Sequence, residues 1–388
     1  MAVPFKYNLR HLLVRWRATG ATVVVIALVV AVFVMVMSLA RGLRATYLST
    51  GDARNLLIIR KGAMAESSSQ VTVDEVRRVK FLDGIARSPG ARADEPLASA
   101  EMIVLITLQR NSGGKAHVQV RGLGPMGPLL RTNIQVIEGR MFEPGKRECI
   151  VSRSVARSFA ECGLNREFRS GKHAWKVVGL FDARKSAYDS EIWVDVDEAR
   201  DAFNRSFYGS IVLRPVDGVA AGRIRERIEN DRSMRLRALG EKEYFREQTK
   251  TAAPIQIFGA ILAAIMSIGA AFAAMNTMYA SVGARAREIG TLRVLGFRRR
   301  AIYLSFILEA LLVALAGGVL GGALSLPMNG WAMGMFNWST FAEVAFEFRV
   351  TAGLLALGLA FALVMGALGG FLPARWAARR DVLDSLRA

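Results

Sequence analysis

The chain has 388 residues, 52% of them apolar, and a formal net charge of +19. This combination excludes an ordinary soluble domain with evenly mixed charges, so the informative question is where the charges are missing. Nucleic-acid binding is excluded too, because the basic residues outside membrane-flanking segments form no zinc-ligand spacing, aromatic RNA-binding signature or recognition helix.

The first predicted element is an amphipathic helix over residues 1–18. Apolar side chains recur at helical spacing from Phe5 to Trp16, and the basic side chains lie off that stripe. Such a helix lies in the inner interface of a membrane, where its cations meet anionic lipid headgroups. Ser38-Leu39-Ala40 resembles a signal-peptide cleavage site, but the apolar run before it is too long for a signal peptide. We therefore expect an uncleaved membrane anchor.

Four stretches almost without charge are each long enough to cross a hydrocarbon core of about 30 Å as helices. A soluble protein of this length could not enclose four helices that are apolar all round. The predicted segments are an interfacial helix (1–18), span one (19–42), an extracytoplasmic domain (43–250), span two (251–279), a loop (280–302), span three (303–328), an outer loop (329–349), span four (350–372) and a tail (373–388).

The short loops predict the orientation of the chain. Residues 1–18, 280–302 and 373–388 are rich in arginine, whereas the loop 329–349 carries Glu343 and Glu347. Basic flanking segments stay in the cytoplasm. We therefore expect a multi-pass protein of the bacterial inner membrane with both termini cytoplasmic.

Residues 43–250 predict an α+β domain, because helical and strand patterns alternate in it. Asn111-Ser112-Gly113-Gly114 between two alternating runs predicts a hairpin, and Thr72 to Glu75 has capping-box spacing. A last helix from Glu241 toward Pro254 is expected to continue into span two as a stalk, with an interruption at Pro254. The remaining strands are predicted at 134–137, 149–151, 175–181, 191–194 and 210–213, and the remaining helices at 153–160, 197–203 and 219–229.

Residues for catalysis, cofactors or metals are not indicated. The histidines lack metal-ligand spacing, and Gly139 to Lys146 departs from the spacing of a phosphate-binding loop. We therefore predict a chain that is not an enzyme and does not hydrolyse ATP. The acidic residues from Asp189 to Glu198 are interpreted as helix-capping groups in preference to a calcium site.

Cys149 and Cys162 are the two cysteines, and both fall in the extracytoplasmic domain. A disulfide between them is one alternative, and two buried thiols are the other. The sequence does not choose between them.

Residues inside the spans predict how the helices pack. Glu309 is an acid within a span, and we expect it to pair with Arg298, Arg299 or Arg300 or to reach the interface. Glycines four residues apart allow close approach of helix backbones. The predicted helix-packing residues are Gly317, Gly318, Gly321, Gly322, Gly366 and Gly370.

The chain resembles the MacB/FtsX-type ABC transporter permeases. The resemblance rests mainly on Met275 to Met278, Ala284 to Gly296 and Glu309 to Leu312, and on the ending Leu372 to Arg380. Asn8-Leu9-Arg10 with Ser38 to Leu43 is similar to the opening of that family, and Val177 to Phe181 with Ser190 to Trp193 is similar to its extracytoplasmic core domain.

The resemblance implies a dimer, with itself or a related permease, of four-span subunits that work with a separate ABC ATPase. ATP and magnesium would be bound by that ATPase, and a short helix in the loop 280–302 would dock on it. Ile289, Leu292 and Leu295 also form a narrow apolar stripe among arginines. By position, the implied docking residues are Arg285, Glu288, Ile289, Leu292, Arg293 and Leu295.

The implied mechanism is mechanotransmission, in which ATPase closure moves the outer domain and leads to export or extraction of a substrate. A periplasmic adaptor or enzyme and membrane lipid are further expected partners. One alternative function is a signalling subunit that uses the ATPase to regulate an extracytoplasmic enzyme without transport. A membrane anchor without an ATPase is another, but it would leave the loop motif unexplained.

Overall fold

The computed structural model describes residues 16–89, 94–336 and 343–380. The amphipathic helix predicted at residues 1–18 falls almost wholly outside these ranges. The chain divides into two compact units. We call them the helical unit (16–41, 254–331 and 348–380) and the sheet domain (42–253 and 332–347).

The described residues form helices and strands of very different length. The helices are α1 (Trp16–Ser49), α2 (Val73–Lys80), α3 (Gly127–Leu130), α4 (Arg153–Ser158), α5 (Val196–Ala202), α6 (Gly218–Asn230), α7 (Glu241–Gln248), α8 (Ala253–Ala284), α9 (Ala286–Val294), α10 (Arg299–Ser325) and α11 (Ala352–Arg379). The strands are β1 (Leu56–Arg60), β2 (Ala98–Gln109), β3 (Lys115–Leu123), β4 (Gln135–Gly139), β5 (Glu148–Ser152), β6 (Glu167–Ser170), β7 (His173–Asp182), β8 (Glu191–Asp195), β9 (Ser210–Leu213), β10 (Leu236–Gly240), β11 (Ala332–Phe336) and β12 (Glu343–Glu347).

Helices α1, α8, α10 and α11 are long and apolar enough to cross a membrane. The candidate spans are Thr19–Ser49, Gln256–Ala284, Arg299–Met328 and Ala352–Arg379. The sheet domain is inserted between the first and second of them. The predicted fold class, four membrane helices with an α and β domain inserted after the first, is therefore confirmed.

The six predicted glycines lie where α10 meets α1 or α11. A Cβ atom at Gly317 would lie 2.7 Å from Cγ2 of Ile26 in α1, and one at Gly321 would lie 2.5 Å from the carbonyl oxygen of Ala27. These distances are shorter than van der Waals contact, so only glycine allows the backbones to come this close.

The contact between α10 and α11 is built in the same way. A Cβ atom at Gly370 would lie 2.5 Å from Cβ of Ala310, and one at Gly366 would overlap Ala314. Gly318 lies against Ala362, and Gly322 is at ordinary contact distance from its neighbours. The two helices therefore pack closely at these glycines.

The sheet domain is built on one mixed sheet in the order β10-β1-β9-β2-β3-β8-β5-β7-β4, with β6 also paired to β7. The pairs β3–β8 and β5–β7 are parallel, and the remaining pairs are antiparallel. The predicted hairpin is confirmed as β2–β3, with Gln109 paired to Lys115 next to the turn. The Thr72–Glu75 capping box at the start of α2 is confirmed as well.

Three strands of the main sheet were not predicted. β1 is a run of apolar residues without alternation, because it is a buried inner strand between β9 and β10. β6 has four residues and β10 has five, and both contain polar residues that hide the strand pattern.

Two connections differ from the sequence predictions. The stalk is not one continuous helix, because α7 ends at Gln248 and the 3₁₀ turn Thr249–Ala252 precedes α8. Pro254 is the second residue of α8, a position where a missing backbone N–H costs no helical hydrogen bond. The predicted outer loop 329–349 contains an antiparallel hairpin, β11–β12, which belongs to the sheet domain.

We predict that Gly321→Ala destabilises the protein by about 1–3 kcal/mol, because the added methyl group meets backbone atoms of α1 that cannot move aside. The matched control is Gly269→Ala in α8, where a Cβ atom has nothing within 4 Å. The control should be neutral or stabilising by up to about 1 kcal/mol. Unfolding of the purified protein in sodium dodecyl sulfate measures both. Equal stability of the two variants would show that α1 and α10 are not in close contact.

Candidate functional site

Helix α9 lies in the loop between the second and third candidate spans, where the docking residues were predicted. Its side toward α10 carries Arg285, Glu288, Ile289 and Leu292, which line a small cavity of about 20 Å³. The facing residues of α10 are Ile302, Ser305 and Phe306. Of these four residues, Arg285 and Ile289 are buried inside the helical unit, Leu292 is half-buried and Glu288 is exposed.

The other side of α9 is exposed. Arg287 and Thr291 are exposed, and the apolar side chains of Val294 and Leu295 are 64% and 67% exposed. These four residues stand at i, i+4, i+7 and i+8, so they form one helical face. We call them the loop face. Of the predicted docking residues, Leu295 belongs to it, Arg293 is half-buried, and Arg285 and Ile289 are buried.

Arg285 and Glu309 form a buried ion pair. Arg285 Nη1 donates to Glu309 Oε2 at 2.8 Å, and Nη2 donates to Oε1 at 3.1 Å. Their side chains are 6% and 5% exposed. Glu309 was expected to meet Arg298, Arg299 or Arg300, and that expectation was wrong. Those three arginines are exposed at the start of α10, whereas Arg285 stands at the junction of α8 and α9 and points into the bundle.

The pair joins the loop to the third candidate span. Two parallel hydrogen bonds between a guanidinium and a carboxylate fix orientation as well as distance. Ile289, one turn along α9, packs with Ile302 and Phe306 of α10 in the same apolar cluster. The ion pair and these apolar contacts therefore hold α9 to α10.

The sheet domain contains a second site, which the sequence analysis missed. β3 and β8 lie side by side, with Gln119 in register with Glu191 and Arg121 with Trp193. Alternation puts these four residues on one face of the sheet. The opposite face is apolar and carries Val118, Val120, Ile192 and Val194 of the main core.

Arg121 is the centre of this polar face. Its guanidinium contacts three carboxylates, those of Glu66 at 2.9 Å, Glu101 at 2.9 Å and Glu191 at 2.8 Å. Arg131 holds both oxygens of Glu101 at 2.6 Å. All five side chains are at most 4% exposed. We call this group the ionic cluster.

The charges of the cluster support one another. Burial alone would raise the pKa of Glu66, but Arg121 and the hydrogen bonds from Arg121 and Ser210 outweigh burial and lower the pKa. Burial alone would lower the pKa of Arg121, but Glu191 and Glu66 raise the pKa well above its usual value. Glu66 and Arg121 therefore each favour the charged form in the buried cluster.

The ionic cluster is covered by chain segments that adjoin the candidate spans. The end of α1 contributes Tyr47, α7 contributes Tyr244, and β12 contributes Val344 to the lining of a cavity of about 30 Å³ beside Arg121. The Tyr244 hydroxyl accepts a hydrogen bond from the Glu66 backbone N–H at 3.1 Å.

Glu241, the first residue of α7, connects these covering segments. Its carboxylate accepts hydrogen bonds from the backbone N–H of Asp52, the Asn55 side chain and the Tyr188 hydroxyl, each at 2.8 Å. Asp52 follows α1, and Tyr188 lies in a 3₁₀ turn whose last residue, Ser190, accepts a hydrogen bond from Ala345 N–H of β12 at 2.7 Å. Segments next to all four candidate spans thus meet on one face of the sheet.

The other residues considered from the sequence have local roles. Asp195 caps α5 by accepting hydrogen bonds from two backbone N–H groups. Asp189 accepts hydrogen bonds from the backbone N–H groups of Ala183 and Lys185. His173 Nε2 lies 2.8 Å from Asp201 Oδ2. Among the described residues, no group of three potential metal ligands is present.

Cys149 and Cys162 are free, buried thiols in this structure. Burial raises the pKa of Cys149 well above its usual value and that of Cys162 to about 12. Neither thiol has the thiolate character that reactivity requires.

Comparison with known proteins defines the family. Residues 19–231 match the MacB-like periplasmic core domain, and residues 260–382 match the FtsX-like permease C-terminal region. Together these regions span both units of the structure. The chain therefore belongs to the MacB/FtsX-type family of ABC transporter permeases, whose members are transmembrane subunits of the bacterial inner membrane.

Individual relatives show the same pattern. The chain is 32% identical over 227 residues to the macrolide export ATP-binding/permease protein MacB 1 of Yersinia pestis bv. Antiqua, covering 54% of this chain and 33% of that protein. It is 31% identical over 231 residues to MacB of Salmonella paratyphi A, with the same coverage. The chain thus spans about a third of the length of these relatives, and the match lies in their permease part.

Solved structures resemble the sheet domain only loosely. The periplasmic region of MacB from Actinobacillus actinomycetemcomitans is 11% identical, with a TM-score of 0.39, over 49% of this chain and 90% of that one. The extracellular domain of the transporter YknZ is 13% identical, with a TM-score of 0.37, over 48% of this chain and 99% of that one.

We predict that Glu309→Leu destabilises the protein by about 3–5 kcal/mol, because Arg285 is left buried without its partner. The double variant Arg285→Leu/Glu309→Leu should be more stable than that single variant. Unfolding in sodium dodecyl sulfate gives the coupling energy as a double-mutant cycle. The control cycle pairs Glu309→Leu with Arg298→Leu, where effects should add within about 0.5 kcal/mol. Coupling to Arg298 instead of Arg285 would contradict the observed pairing.

Proposed function

We propose that this chain is the membrane subunit of an ABC transporter of the mechanotransmission type. In this proposal a separate ATPase subunit binds ATP and magnesium and docks on the loop face of α9. The chain itself is not an enzyme. It passes the motion of the ATPase to the sheet domain for export or extraction of a substrate.

The charge of the short loops supports this assignment and its proposed orientation. The loop that carries α9 also carries Arg285, Arg287, Arg293 and the arginines at 298–300, and basic short loops stay in the cytoplasm. The loop face then points toward the ATPase compartment, and the sheet domain lies outside. Both described ends of the helical unit, the start of α1 and the end of α11, fall on the cytoplasmic side.

The Arg285–Glu309 pair is the observation that carries the proposal. A docking helix transmits force only if it is held firmly to a membrane helix, and α9 is held to α10 by two buried charge-assisted hydrogen bonds. The loop face on the opposite side of α9 presents two exposed apolar side chains to solvent. This arrangement suits force transmission, because one face of α9 is fixed to α10 and the opposite face is available to a protein partner.

Tight packing of the candidate spans also supports mechanotransmission. The glycine contacts of α10 with α1 and α11 bring backbones together, and the clusters between these helices are apolar. Such packing moves as a body and does not form a polar route for a solute. The proposed dimer partner is a second copy or a related permease, and a periplasmic adaptor or enzyme and membrane lipid are further proposed partners.

We predict that Val294→Asp/Leu295→Asp abolishes co-purification of an ABC ATPase. Burying two carboxylates in the interface should weaken it by far more than about tenfold. The tagged full-length chain is purified from its native membrane, and its nucleotide-binding companion is identified by cross-linking to an azido-ATP and mass spectrometry.

The matched control is Val219→Asp, an equally exposed valine of the sheet domain at 70% exposure. It should leave the ATPase yield unchanged. A companion that is retained by the loop-face variant, or absent from the wild-type preparation, would refute the docking assignment.

The orientation is tested by single cysteines at Ser112 in the β2–β3 turn and at Thr291 on the loop face, both exposed. Because Cys149 and Cys162 are buried, they leave a low background. A membrane-impermeant maleimide added to intact spheroplasts should label Ser112→Cys only, and permeabilisation should expose Thr291→Cys. Labelling of Thr291→Cys in intact cells would invert the topology.

A further inference from the structure

Helix α8 is the least enclosed of the four candidate spans. In its most apolar stretch 22% of the residues are buried, against 39–44% in the other three spans. Small residues make its contact with the rest of the helical unit, since Ala263, Ala270 and Ala274 are buried. Its larger apolar side chains point away from the unit, and those of Ile265 and Phe272 are 62% and 63% exposed. One side of α8 is therefore left uncovered by the described part of the chain.

A stripe of exposed residues runs along that side. Its members alternate at spacings of four and three residues, which is the 3.5-residue repeat of a helix that pairs with another helix. The neighbouring stripe with the same spacing starts at Ile257 and becomes half-buried at Ala271 and Met275. We call the stripe that stays exposed the α8 seam, and it consists of Phe258, Leu262, Ile265, Gly269, Phe272 and Asn276.

Asn276 is the polar member of the α8 seam. It lies six residues from Ala270, the middle residue of the candidate span Gln256–Ala284, and so about 9 Å from the centre of the span. A hydrocarbon core of about 30 Å extends about 15 Å to each side of its centre, so the Asn276 amide lies inside it. Within the described ranges of the chain this amide has no hydrogen-bond partner. An unpaired carboxamide is costly in lipid, and the seam therefore requires a polar partner.

We propose that the α8 seam is the contact between two copies of this chain. Two copies that insert into a membrane in the same orientation have parallel α8 helices, and a twofold axis between them brings each seam residue opposite its own copy. The Asn276 amide carries donors and an acceptor, so it is electrostatically complementary to the same amide of a second copy. Lipid chains offer no hydrogen bond in return. The occupant of the seam is therefore a second copy of the chain and not lipid.

The amide also fixes the register of the pair. Two apolar helices in a membrane can slide past one another at little cost, whereas a slide of one turn would leave both Asn276 amides unpaired. This inference rests on the dimer of the proposed function and makes it a homodimer, because the complement of each seam residue is the same residue. No part of the seam lies on α9, so pairing and ATPase docking can be tested separately.

Cross-linking of single cysteines tests the α8 seam. The full-length chain with Ile265→Cys or Phe272→Cys is reconstituted without an ATPase in vesicles of phosphatidylcholine and phosphatidylglycerol and oxidised with copper phenanthroline. Both variants should form covalent dimers, because a disulfide needs Cα atoms within about 7 Å and residues that face each other across two packed helices come this close.

The matched control is Ala264→Cys, which is also exposed but lies about 100° around the helix from Ile265. It should give at least about fivefold less covalent dimer, because its distance across the pair is too long for a disulfide. The unaltered chain, with Cys149 and Cys162 buried, measures the background.

A second measurement tests the amide. Asn276→Leu should weaken self-association by about fivefold or more, and Asn276→Gln should keep most of it, because glutamine retains the carboxamide. Photobleaching steps of the labelled chain, counted at decreasing protein-to-lipid ratios, give the fraction of dimer. The control Ser267→Ala removes a hydroxyl of α8 that already donates to the Ala264 carbonyl oxygen at 2.7 Å. It should stay within about twofold of wild type.

Three results would overturn the inference. Equal cross-linking of Ala264→Cys and of the seam cysteines would show random collision in the vesicle. Unchanged self-association of a folded Asn276→Leu variant would refute pairing through the amide, and unfolding in sodium dodecyl sulfate shows whether each variant is folded. A wild-type chain that stays monomeric at every ratio would refute the homodimer, whereas ATPase docking would still be decided by Val294→Asp/Leu295→Asp.

Discussion

The buried guanidinium of Arg121 is the constraint on which the sheet domain depends. Three carboxylates surround it, and each would be a costly buried charge if it lost that partner. Such a cluster adds little net stability, because desolvation offsets much of the Coulomb attraction, but it strongly penalises any opening that separates its members. The segments next to the candidate spans cover this cluster. Because moving them would disturb buried charges, the cluster specifies their position on the sheet.

The helical unit also contains buried opposite charges, but only as a single ion pair among the residues that the structure describes. Arg285 and Glu309 hold α9 against α10 with two hydrogen bonds, while the rest of the bundle relies on apolar clusters and on glycines that bring backbones together. Apolar contacts in a membrane discriminate weakly between neighbouring registers, because lipid is as apolar as the side chains. A buried bidentate pair fixes one register, which is what the proposed docking helix requires.

The hairpin β11–β12 gives the link between the third and fourth candidate spans a definite place in the sheet domain. It is held by the hydrogen bond from Ala345 N–H to Ser190 and by the pair of Lys185 with Glu347. Ser190 also precedes Glu191 of the ionic cluster, so the hairpin and the cluster are held by one short stretch of chain.

The sequence alone determined the four spans, the inserted domain and the β2–β3 hairpin, because charge-free length, turn residues and strand alternation are local properties. It also located the glycines and the loop helix. Only the tertiary structure decided which way polar faces point. Alternation along β3 and β8 marks Gln119, Arg121 and Glu191 as a face distinct from the core, which local reasoning assigns to solvent, yet other segments bury it. Likewise the stripe of Ile289 and Leu292 indicates an interface without saying whether α10 or a partner occupies it. Burial depends on what distant parts of the chain bring to a surface, and no local pattern contains that information.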